Sequence, residues 1–393
     1  ERLEKERAER EAKEEEERKR RQEELRKKEE REKKQLIEIL AAVFIACFAL
    51  YSIAIAPAVK KTNQYNDAVE LLQNNKYVEA YQIFKKLAAS DYKDSSKMFL
   101  KVYQKCVADA NTLIKKGEYQ SALSTLGSIE KHISDFNTDT DSYYKAKYYA
   151  YLGLNDYDRA QECLSYLSDE TVVEETARET TTHSVQNATI GSTVIMGQFE
   201  QDGDESNGTE SIKWTVLDVQ DGEALLICNN VLCYREFSED GNSSWENSSI
   251  REWLNNEFYN SAFSDEEKKY ILEKEEESIE SDDFFYDRDW ASLTSHYSLD
   301  KVTLLSSKQA AQYFPDNLSL DAERTEAAYE QVNQVENVET YGWLLRSLYM
   351  RGNNAACSTA YYRWGNTYTV NALTVSQRAK CGIRPAMWIK TTD

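Results

Sequence analysis

The chain carries few of the side chains on which enzyme chemistry depends, and they do not cluster. Its three histidines, His132, His183 and His296, are scattered along the sequence. Cys228 and Cys233 stand close together, but no second cysteine pair or histidine completes a zinc-binding pattern. No Ser/His/Asp, Cys/His or paired-carboxylate set can be assembled from the sequence either. We therefore expect no enzymatic activity, no metal and no other cofactor.

A calcium loop is the nearest approach to a metal site. Asp202, Asp204 and Ser206 alternate as calcium ligands do. However, no bidentate glutamate follows at the required place, and the glycine of such a loop is displaced. This pattern instead predicts a polar turn.

The stretch Met350–Lys380 concentrates side chains that recognise ligands by contact. Aromatic and amide side chains that are dense on loops suit the binding of a carbohydrate or a protein. A plain pair of surface strands would account for the same residues. The candidate ligand-binding residues are Arg351, Asn353, Asn354, Tyr361, Tyr362, Arg363 and Trp364.

The elements that would position such a site begin with a charged segment, residues 1–34. Glutamate precedes a base by four residues many times, as in Glu15/Lys19 and Glu23/Lys27, which favours helical ion pairs. The few apolar residues form no heptad, so a coiled-coil partner is disfavoured. The segment is predicted to be a single solvated helix on the cytoplasmic side, with charged disorder as the alternative.

An uncharged stretch from Ile39 to Val59 follows and is long enough to cross a bilayer as a helix. We expect a transmembrane helix over residues 35–59. Lysine and arginine are abundant before it, whereas only Lys60 and Lys61 lie close behind it, which places the N-terminus in the cytoplasm. Residues after about 61 are then extracytoplasmic, on a single-pass protein of the cell membrane.

The whole chain is acidic, with a net charge of −21 and a pI near 4.8. Nucleic acid is excluded as a partner because phosphate binding needs a basic surface. Residues 1–61 are close to neutral, so the negative excess belongs to the outer part, which it keeps soluble. The chain begins at Glu1 rather than Met, which indicates that a segment is missing upstream.

Residues 62–170 contain a pattern that occurs three times: a Gly or Asn two positions before a tyrosine, then an alanine three positions after it. Gly and Asn suit the end of one helix, and the small alanine lets the next helix pack closely. The pattern resembles the tetratricopeptide repeat, with longer spacings, and predicts all-α helical hairpins that either bind a partner peptide or act as a spacer. The packing residues are Tyr77, Ala80, Tyr119, Ala122, Tyr157 and Ala160.

Residues 171–190 are rich in threonine and glutamate without an apolar period, and they are predicted to be a linker. From 191 to 393 the pattern changes to an α+β domain. A strand hairpin is expected around a polar loop at 201–208, and a capped helix is expected at Ser264. The other expected elements are strands at Glu223–Val231, Lys301–Ser306, Trp343–Ser347 and Gly382–Ile389, and helices at Trp245–Tyr259 and Ser307–Phe314.

Five segments of this last domain carry a resemblance to a known family: Glu200–Gly208, Trp245–Tyr259, Asp300–Ser306, Trp343–Ser347 and Ile383–Ile389. In this order they resemble the motifs of domain-of-unknown-function family 6273, which groups uncharacterised extracellular domains of Gram-positive bacteria. The resemblance implies a position after a transmembrane helix and helical repeats. The late strands also look like the superfold of C-type lectins and formylglycine-generating enzymes, although the calcium signature and paired cysteines of those proteins lack counterparts.

The conspicuous residues of these motifs are predicted to be structural. The tryptophans are expected in the core, and the arginines on strands are expected to pair with buried carboxylates such as Glu246 or Asp300. Cys357 and Cys381 form the first candidate disulfide, since both lie in the last domain; reduced cysteines are the alternative. The motif residues are Trp245, Arg251, Trp253, Trp343, Arg346, Arg384 and Trp388.

Together these features favour a multidomain membrane protein: a charged helix, a transmembrane helix, helical-hairpin repeats and a C-type-lectin-like α+β domain. We expect the outer domain to be a binding module for a glycan or protein, raised on a helical spacer. The alternative is an envelope scaffolding or signalling protein in which the helical repeats bind a partner protein. An enzyme is the third possibility, for which no catalytic set is found.

Overall fold

The computed structural model describes residues 2–136, 138, 140–168, 170–239, 241, 244–281, 294–314, 322–334, 338–351, 354–360, 375–376 and 380–392. The chain divides into two compact units, Glu1–Ala146 and Lys147–Asp393. Among the described residues, the first unit is helical and the second holds the strands.

Helix α1 (Arg2–Leu50) contains both the charged segment and most of the apolar stretch, so these two predicted elements form one helix. A π-helical turn, Tyr51–Ile55, joins it to α2 (Ala56–Gln73). Pro57 lies one turn after Ile53 and has no N–H to donate, which accounts for the widened turn. The helix is long and apolar enough to cross a membrane, and its apolar side chains, such as Phe44 and Ile53, are exposed.

Helices α2 and α3 (Tyr77–Ala88) pack together, as do α4 (Ser95–Lys115) and α5 (Tyr119–Gly127). Helix α6 is Asp141–Gly153 and α7 is Tyr157–Leu164. The three predicted turns share one backbone geometry, because Asn75, Gly117 and Asn155 all have φ between 57° and 77°. Such left-handed residues end a helix, as the sequence pattern predicts.

Each of the three tyrosines begins the helix after its turn, and Ala80, Ala122 and Ala160 are fully buried. Tyr77 and Tyr157 are buried as well, whereas Tyr119 is only partly buried. The long spacings have a local cause. Helix α4 is 21 residues long, and a 3₁₀ segment, Glu130–Phe136, follows α5. The tetratricopeptide assignment itself stays a prediction.

In place of the expected linker at 171–190, the structure has helix α8 (Glu170–Gln186). Thr176, Thr180 and Ser184 lie four residues apart and are buried, so they form its inner face. Their hydroxyls donate to carbonyls three or four residues earlier in the same helix. A buried face made of hydroxyl side chains shows no apolar period, and for that reason the sequence pattern concealed the helix.

The first sheet is antiparallel, with the strand order β1-β2-β3-β12-β5. The predicted hairpin is present as β1 and β2. The expected helix at Ser264 is reduced to a 3₁₀ turn, Glu267–Lys269, although Ser264 and Glu267 do cap each other. The strands are β1 (Thr193–Phe199), β2 (Glu210–Gln220), β3 (Glu223–Cys228), β5 (Ile271–Leu272) and β12 (Ala386–Lys390).

The second sheet has the order β10-β9-β8-β11-β4, and β6 joins it beside β8 and pairs with β7. The predicted late strand at Gly382–Ile389 is divided: β11 belongs to this sheet and β12 to the first, with Arg384 and Pro385 at the crossing. The strands are β4 (Cys233–Arg235), β6 (Lys274–Ser281), β7 (Thr294–Asp300), β8 (Val338–Arg351), β9 (Asn354–Ala360), β10 (Val375–Ser376) and β11 (Lys380–Ile383).

Residues 301–306, expected to be a strand, form only an isolated bridge from Thr303 to Ala386. The predicted motif helix begins with a 3₁₀ turn at Trp245, continues as α9 (Ser249–Trp253) and a π-helical turn, and ends as α10 (Tyr259–Ala262). The remaining helices are α11 (Ser307–Tyr313) and α12 (Glu326–Gln334).

The expected disulfide between Cys357 and Cys381 is incompatible with the strand register. Cys357 on β9 pairs with Leu348 of β8, whereas Cys381 on β11 pairs with Glu339, on the other side of β8 and near its opposite end. The two cysteines thus lie on opposite sides of β8, two strands and roughly 10 Å apart, and they are also displaced along the strands. A disulfide needs Cα atoms within about 7 Å of each other.

Ala122 tests the close packing of α5. Ala122→Trp inserts a large side chain at a fully buried position, and overpacking should lower the free energy of unfolding by about 1–3 kcal/mol. The measurement is denaturant unfolding of the full chain in detergent, followed by circular dichroism. Ser121→Trp, at an exposed position of the same helix, is the control. Equal stability of the two variants would contradict the packing.

Candidate ligand-binding groove

The binding residues predicted from the sequence fall mostly where the structure gives no description. Arg351 and Asn354 are paired at the turn of the β8–β9 hairpin. Asn353, Tyr361, Tyr362, Arg363 and Trp364 lie outside the described residues. The strand positions of Arg351 and Asn354 agree as well with a plain strand pair as with a binding loop, so this site stays a prediction.

The tryptophan and arginine motifs converge on a buried carboxylate, Asp300. The indole Nε1 of Trp245 donates to Asp300 at 2.9 Å, and the Arg251 guanidinium contacts it at 2.5 Å. The hydroxyl of Ser298 donates to it at 2.8 Å. Asn255 accepts from the backbone N–H of Lys301 and donates to the carbonyl of Val302. The motif helix is therefore fastened to the end of β7 and to the segment that follows it.

Arg346 is also buried, and its partner differs from the expected one. Its guanidinium pairs with Glu276 of β6 at 2.6 Å and donates to the carbonyls of Glu277 and Leu304. Asp300, which was an expected partner, pairs with Arg251 instead. Burial raises the pKa of Glu276, and the charge of Arg346 opposes that rise. A guanidinium in this position requires the pairing, because an uncompensated buried charge is costly.

Arg384 lies at the crossing between β11 and β12 and is buried. Its Nε donates to the carbonyl of Cys228 at 2.7 Å, and its guanidinium carbon lies 5.2 Å from the ring centre of Trp343 and 5.6 Å from that of Phe314. Burial lowers the pKa of Arg384 to about 10. Trp245, Trp253 and Trp343 are buried too, whereas Trp388 is partly exposed. Burial of these motif side chains is consistent with a structural role.

An open groove of about 850 Å³ lies between α8 and the segment Ala262–Tyr270, across the edge of β1. Its floor is apolar and contains Ile195, Met196 and Phe263, which are buried. Its rim carries hydroxyl, amide and charged side chains. An apolar floor with a few convergent polar groups is the usual composition of a ligand site. The rim residues include Gln161, Arg178, Thr181, Gln198, Ser261 and Lys269.

The outer edge of β1 is closed by side chains. The backbone N–H of Ile195 donates to Ser184 Oγ of α8 at 3.0 Å, and that of Gly197 donates to Glu267 at 2.7 Å. Gly197 has a φ of +78°, and a Cβ there would lie 2.6 Å from Phe263. A ligand in the groove would therefore meet side chains rather than add a strand, because the edge N–H groups of Ile195 and Gly197 are already bonded.

A second depression, of about 1220 Å³, continues the groove along β2. The two share lining residues, among them Gln161, Ala177 and Ser211. Between helix and sheet, the Gln161 amide donates to Ser211 at 2.5 Å, and Lys213 pairs with Asp158. These contacts fasten α7 to β2. The two depressions thus form one groove along the outer face of the β1–β2 hairpin.

Three carboxylates of the β1–β2 loop, Glu200, Asp202 and Glu210, have ligand oxygens within 4.8 Å of one another. They accept bonds from amides of the same loop. Glu210 accepts from Gln201 and Asp202, and Glu200 accepts from Gly203. These bonds give the carboxylates a role in shaping the turn, as the sequence pattern predicts.

The sequence does not indicate the groove, for two reasons. Its helical wall, α8, lies in a segment whose pattern predicts a linker. Its other wall follows the predicted motif helix, but no local pattern indicates that Phe263 lies against β1. The available signal was the four-residue spacing of Thr176, Thr180 and Ser184, which predicts a helix face once hydroxyl side chains are allowed to be buried.

The ion pair of Arg346 can be tested by removing it in two ways. Arg346→Met leaves Glu276 buried without its partner and should lower the free energy of unfolding by about 3–5 kcal/mol. The double variant Arg346→Met with Glu276→Met should be markedly more stable than the single one, because no buried charge is left. Thermal unfolding of the full chain measures both. A double variant as unstable as the single variant would contradict the pairing.

Among the comparisons with known proteins, one covers the part of the chain that contains the buried motifs. No curated protein and no solved structure matches the chain. Residues 221–391, which contain the Asp300 and Arg346 clusters, match the family described as Domain of unknown function (DUF6273).

Proposed function

We propose that the protein is a single-pass membrane protein that displays its strand-rich unit as a binding module outside the cytoplasm. The observation that supports the anchor is the exposure of the apolar part of the continuous helix that α1, the π-helical turn and α2 form. Its large apolar side chains, from Leu36 to Val59, are exposed around the helix. Water is a poor environment for such a surface, and the hydrocarbon core of a bilayer is a favourable one.

The charged half of α1 supports the orientation. Its lysines and arginines precede the apolar half. Within the charged half, Glu15–Lys19 and Glu23–Lys27 form ion pairs of 2.9 and 2.8 Å. Because basic residues are retained on the cytoplasmic side, the N-terminus faces the cytoplasm and both the helical pairs and the strand-rich unit are extracytoplasmic. The helical pairs then act as a spacer.

The groove beside β1 is the ligand site in this proposal. Its floor offers apolar contact, and its rim offers hydroxyl and amide groups that donate and accept hydrogen bonds. A glycan or a segment of a protein presents both kinds of surface. Since the β1 edge is closed at Ile195 and Gly197, recognition depends on side chains of the ligand rather than on its backbone.

Protease protection tests the orientation. Protease added to spheroplasts should degrade everything after Lys61 and spare residues 1–34, because only the former are outside. Immunoblotting with tags at both ends gives the measurement, and lysed spheroplasts are the control in which both ends are lost. Survival of the C-terminal tag in intact spheroplasts would reverse the orientation.

A blocking substitution tests the groove. Ala177 lines both depressions, so Ala177→Trp should fill the groove and reduce binding at least tenfold on arrays of glycans and of envelope peptides. Glu175→Trp, on the same helix but outside the groove lining, is the matched control. Circular dichroism verifies that both variants are folded.

Two results would count against the groove. Equal binding by Ala177→Trp and Glu175→Trp would place the ligand elsewhere in the strand-rich unit. Binding that is lost only when the helical pairs are altered, as by Ala122→Trp, would favour a scaffolding protein whose helices hold the partner.

A further inference from the structure

The turn between α3 and α4 lies beside Thr62 of α2, close to the end of the apolar segment. Helix α3 has 12 residues, and the part of α2 from Thr62 to Gln73 is of the same length. Because α3 runs back along α2, its end arrives beside Thr62. Thr62 lies three residues after Val59, roughly 5 Å along the helix.

Side-chain contacts hold this turn against α2. The hydroxyls of Thr62 and Tyr92 are 2.7 Å apart, and Tyr65 donates to the Asp94 carboxylate at 2.5 Å. The rings of Tyr65 and Tyr92 meet edge to face, with centres 6.3 Å apart. Lys93 adopts a φ of 51°, an uncommon backbone conformation for a residue with a side chain.

Lysines cluster on these two rings. The Nζ of Lys93 lies 4.6 Å from the ring centre of Tyr65 and 5.4 Å from that of Tyr92. The Nζ of Lys61 lies 5.9 Å from the Tyr92 ring centre. Lys60, next to Lys61, is exposed, as is Lys93. We call these five residues the collar: Lys60, Lys61, Tyr65, Tyr92 and Lys93.

The charges around the collar leave it basic. Asp91 and Asp94 are the acidic residues of the turn, and Lys97 adds a further cation at the start of α4. This part of the unit therefore carries four lysines, the three of the collar and Lys97, and two aspartates. The hydrogen bond from Tyr65 lowers the pKa of Asp94, so this carboxylate is ionised and engaged with a neutral partner.

We propose that the collar binds the phosphate groups of lipid headgroups, and that it thereby seats the α3–α4 turn on the membrane surface. The proposal rests on the membrane span proposed above. Tyr65 lies roughly 9 Å beyond Val59 along the helix, a depth that falls in or just outside the headgroup layer. Tyrosine rings favour this layer, and lysines on an apolar stem extend to its phosphates.

Photo-crosslinking tests the depth of the turn. A benzophenone amino acid is placed at position 48, 76 or 90 of the full chain in vesicles of phosphatidylcholine with phosphatidylglycerol, and lipid adducts are measured by mass spectrometry. Position 48 lies in the apolar segment, 90 in the α3–α4 turn and 76 at the far end of α2. Adducts at 48 and 90, but not at 76, are expected.

The other outcomes separate the two proposals. Adducts at 48 without adducts at 90 would overturn the collar and leave the span intact. Absence of adducts at 48 would overturn the span and the collar together. Equal adducts at 76 and 90 would overturn the specific seating of this turn.

The phosphate contact is tested by charge removal. Lys60→Gln, Lys61→Gln and Lys93→Gln together should reduce the phosphatidylglycerol retained in native mass spectrometry by about fivefold for each lysine lost. The control variant carries Lys76→Gln, Lys115→Gln and Lys116→Gln, three exposed lysines of the same unit away from the collar. Equal retention by the two variants would overturn the proposal. Release of the lipid by inorganic phosphate would identify a free-anion site instead.

Discussion

A guanidinium that is almost fully buried must have its charge and its donors met inside the protein. Arg346 on β8 meets this requirement with groups from distant parts of the chain: the carboxylate of Glu276, the carbonyl of Glu277 and the carbonyl of Leu304. These contacts hold β6 beside β8 and fix the course of residues 301–306, which have little strand pairing of their own. The position of β6 beside β8 is therefore stabilised by the pairing of one buried charge.

A second buried charge, the carboxylate of Asp300, helps to position one wall of the groove. This carboxylate ends β7, and it fastens Trp245 and Arg251 of the motif helix. That helix ends at Ala262, and the next residue, Phe263, lies against Gly197 of β1. The wall of the groove is thus held by a series of contacts that begins in the buried polar network. Rigid support of this kind is what a recognition surface needs, because a loosely held rim would lose binding energy to ordering.

In the N-terminal unit, the lengths of helices α2 and α3 determine which residues meet. The apolar segment ends at Val59, and α3 is as long as the part of α2 above Thr62. A helical pair of these lengths brings the turn after α3 back beside Thr62 of α2. The basic and aromatic residues of that turn, Tyr92 and Lys93, then lie beside Lys61 and Tyr65. In the proposed membrane arrangement, this turn lies at the bilayer surface.

Features that depend on neighbours along the chain can be predicted from the amino-acid sequence alone. The apolar length of 39–59 predicts a helix long and apolar enough to cross a membrane, the Gly or Asn before each tyrosine predicts the left-handed turns, and the tryptophan motifs predict the buried side chains of Trp245 and Trp253. Family resemblance in the last domain rests likewise on local motifs, and the family match at 221–391 agrees with it.

The folded structure establishes which distant residues meet. It paired Arg346 with Glu276 rather than with Asp300, separated Cys357 from Cys381 by an intervening strand, and divided the last predicted strand between two sheets. It also made α8 from a segment whose buried side is threonine and serine. The physical reason is common to these cases. Burial and pairing are properties of surfaces brought together by folding, and hydroxyl or charged side chains become buried only where such a surface supplies their hydrogen bonds.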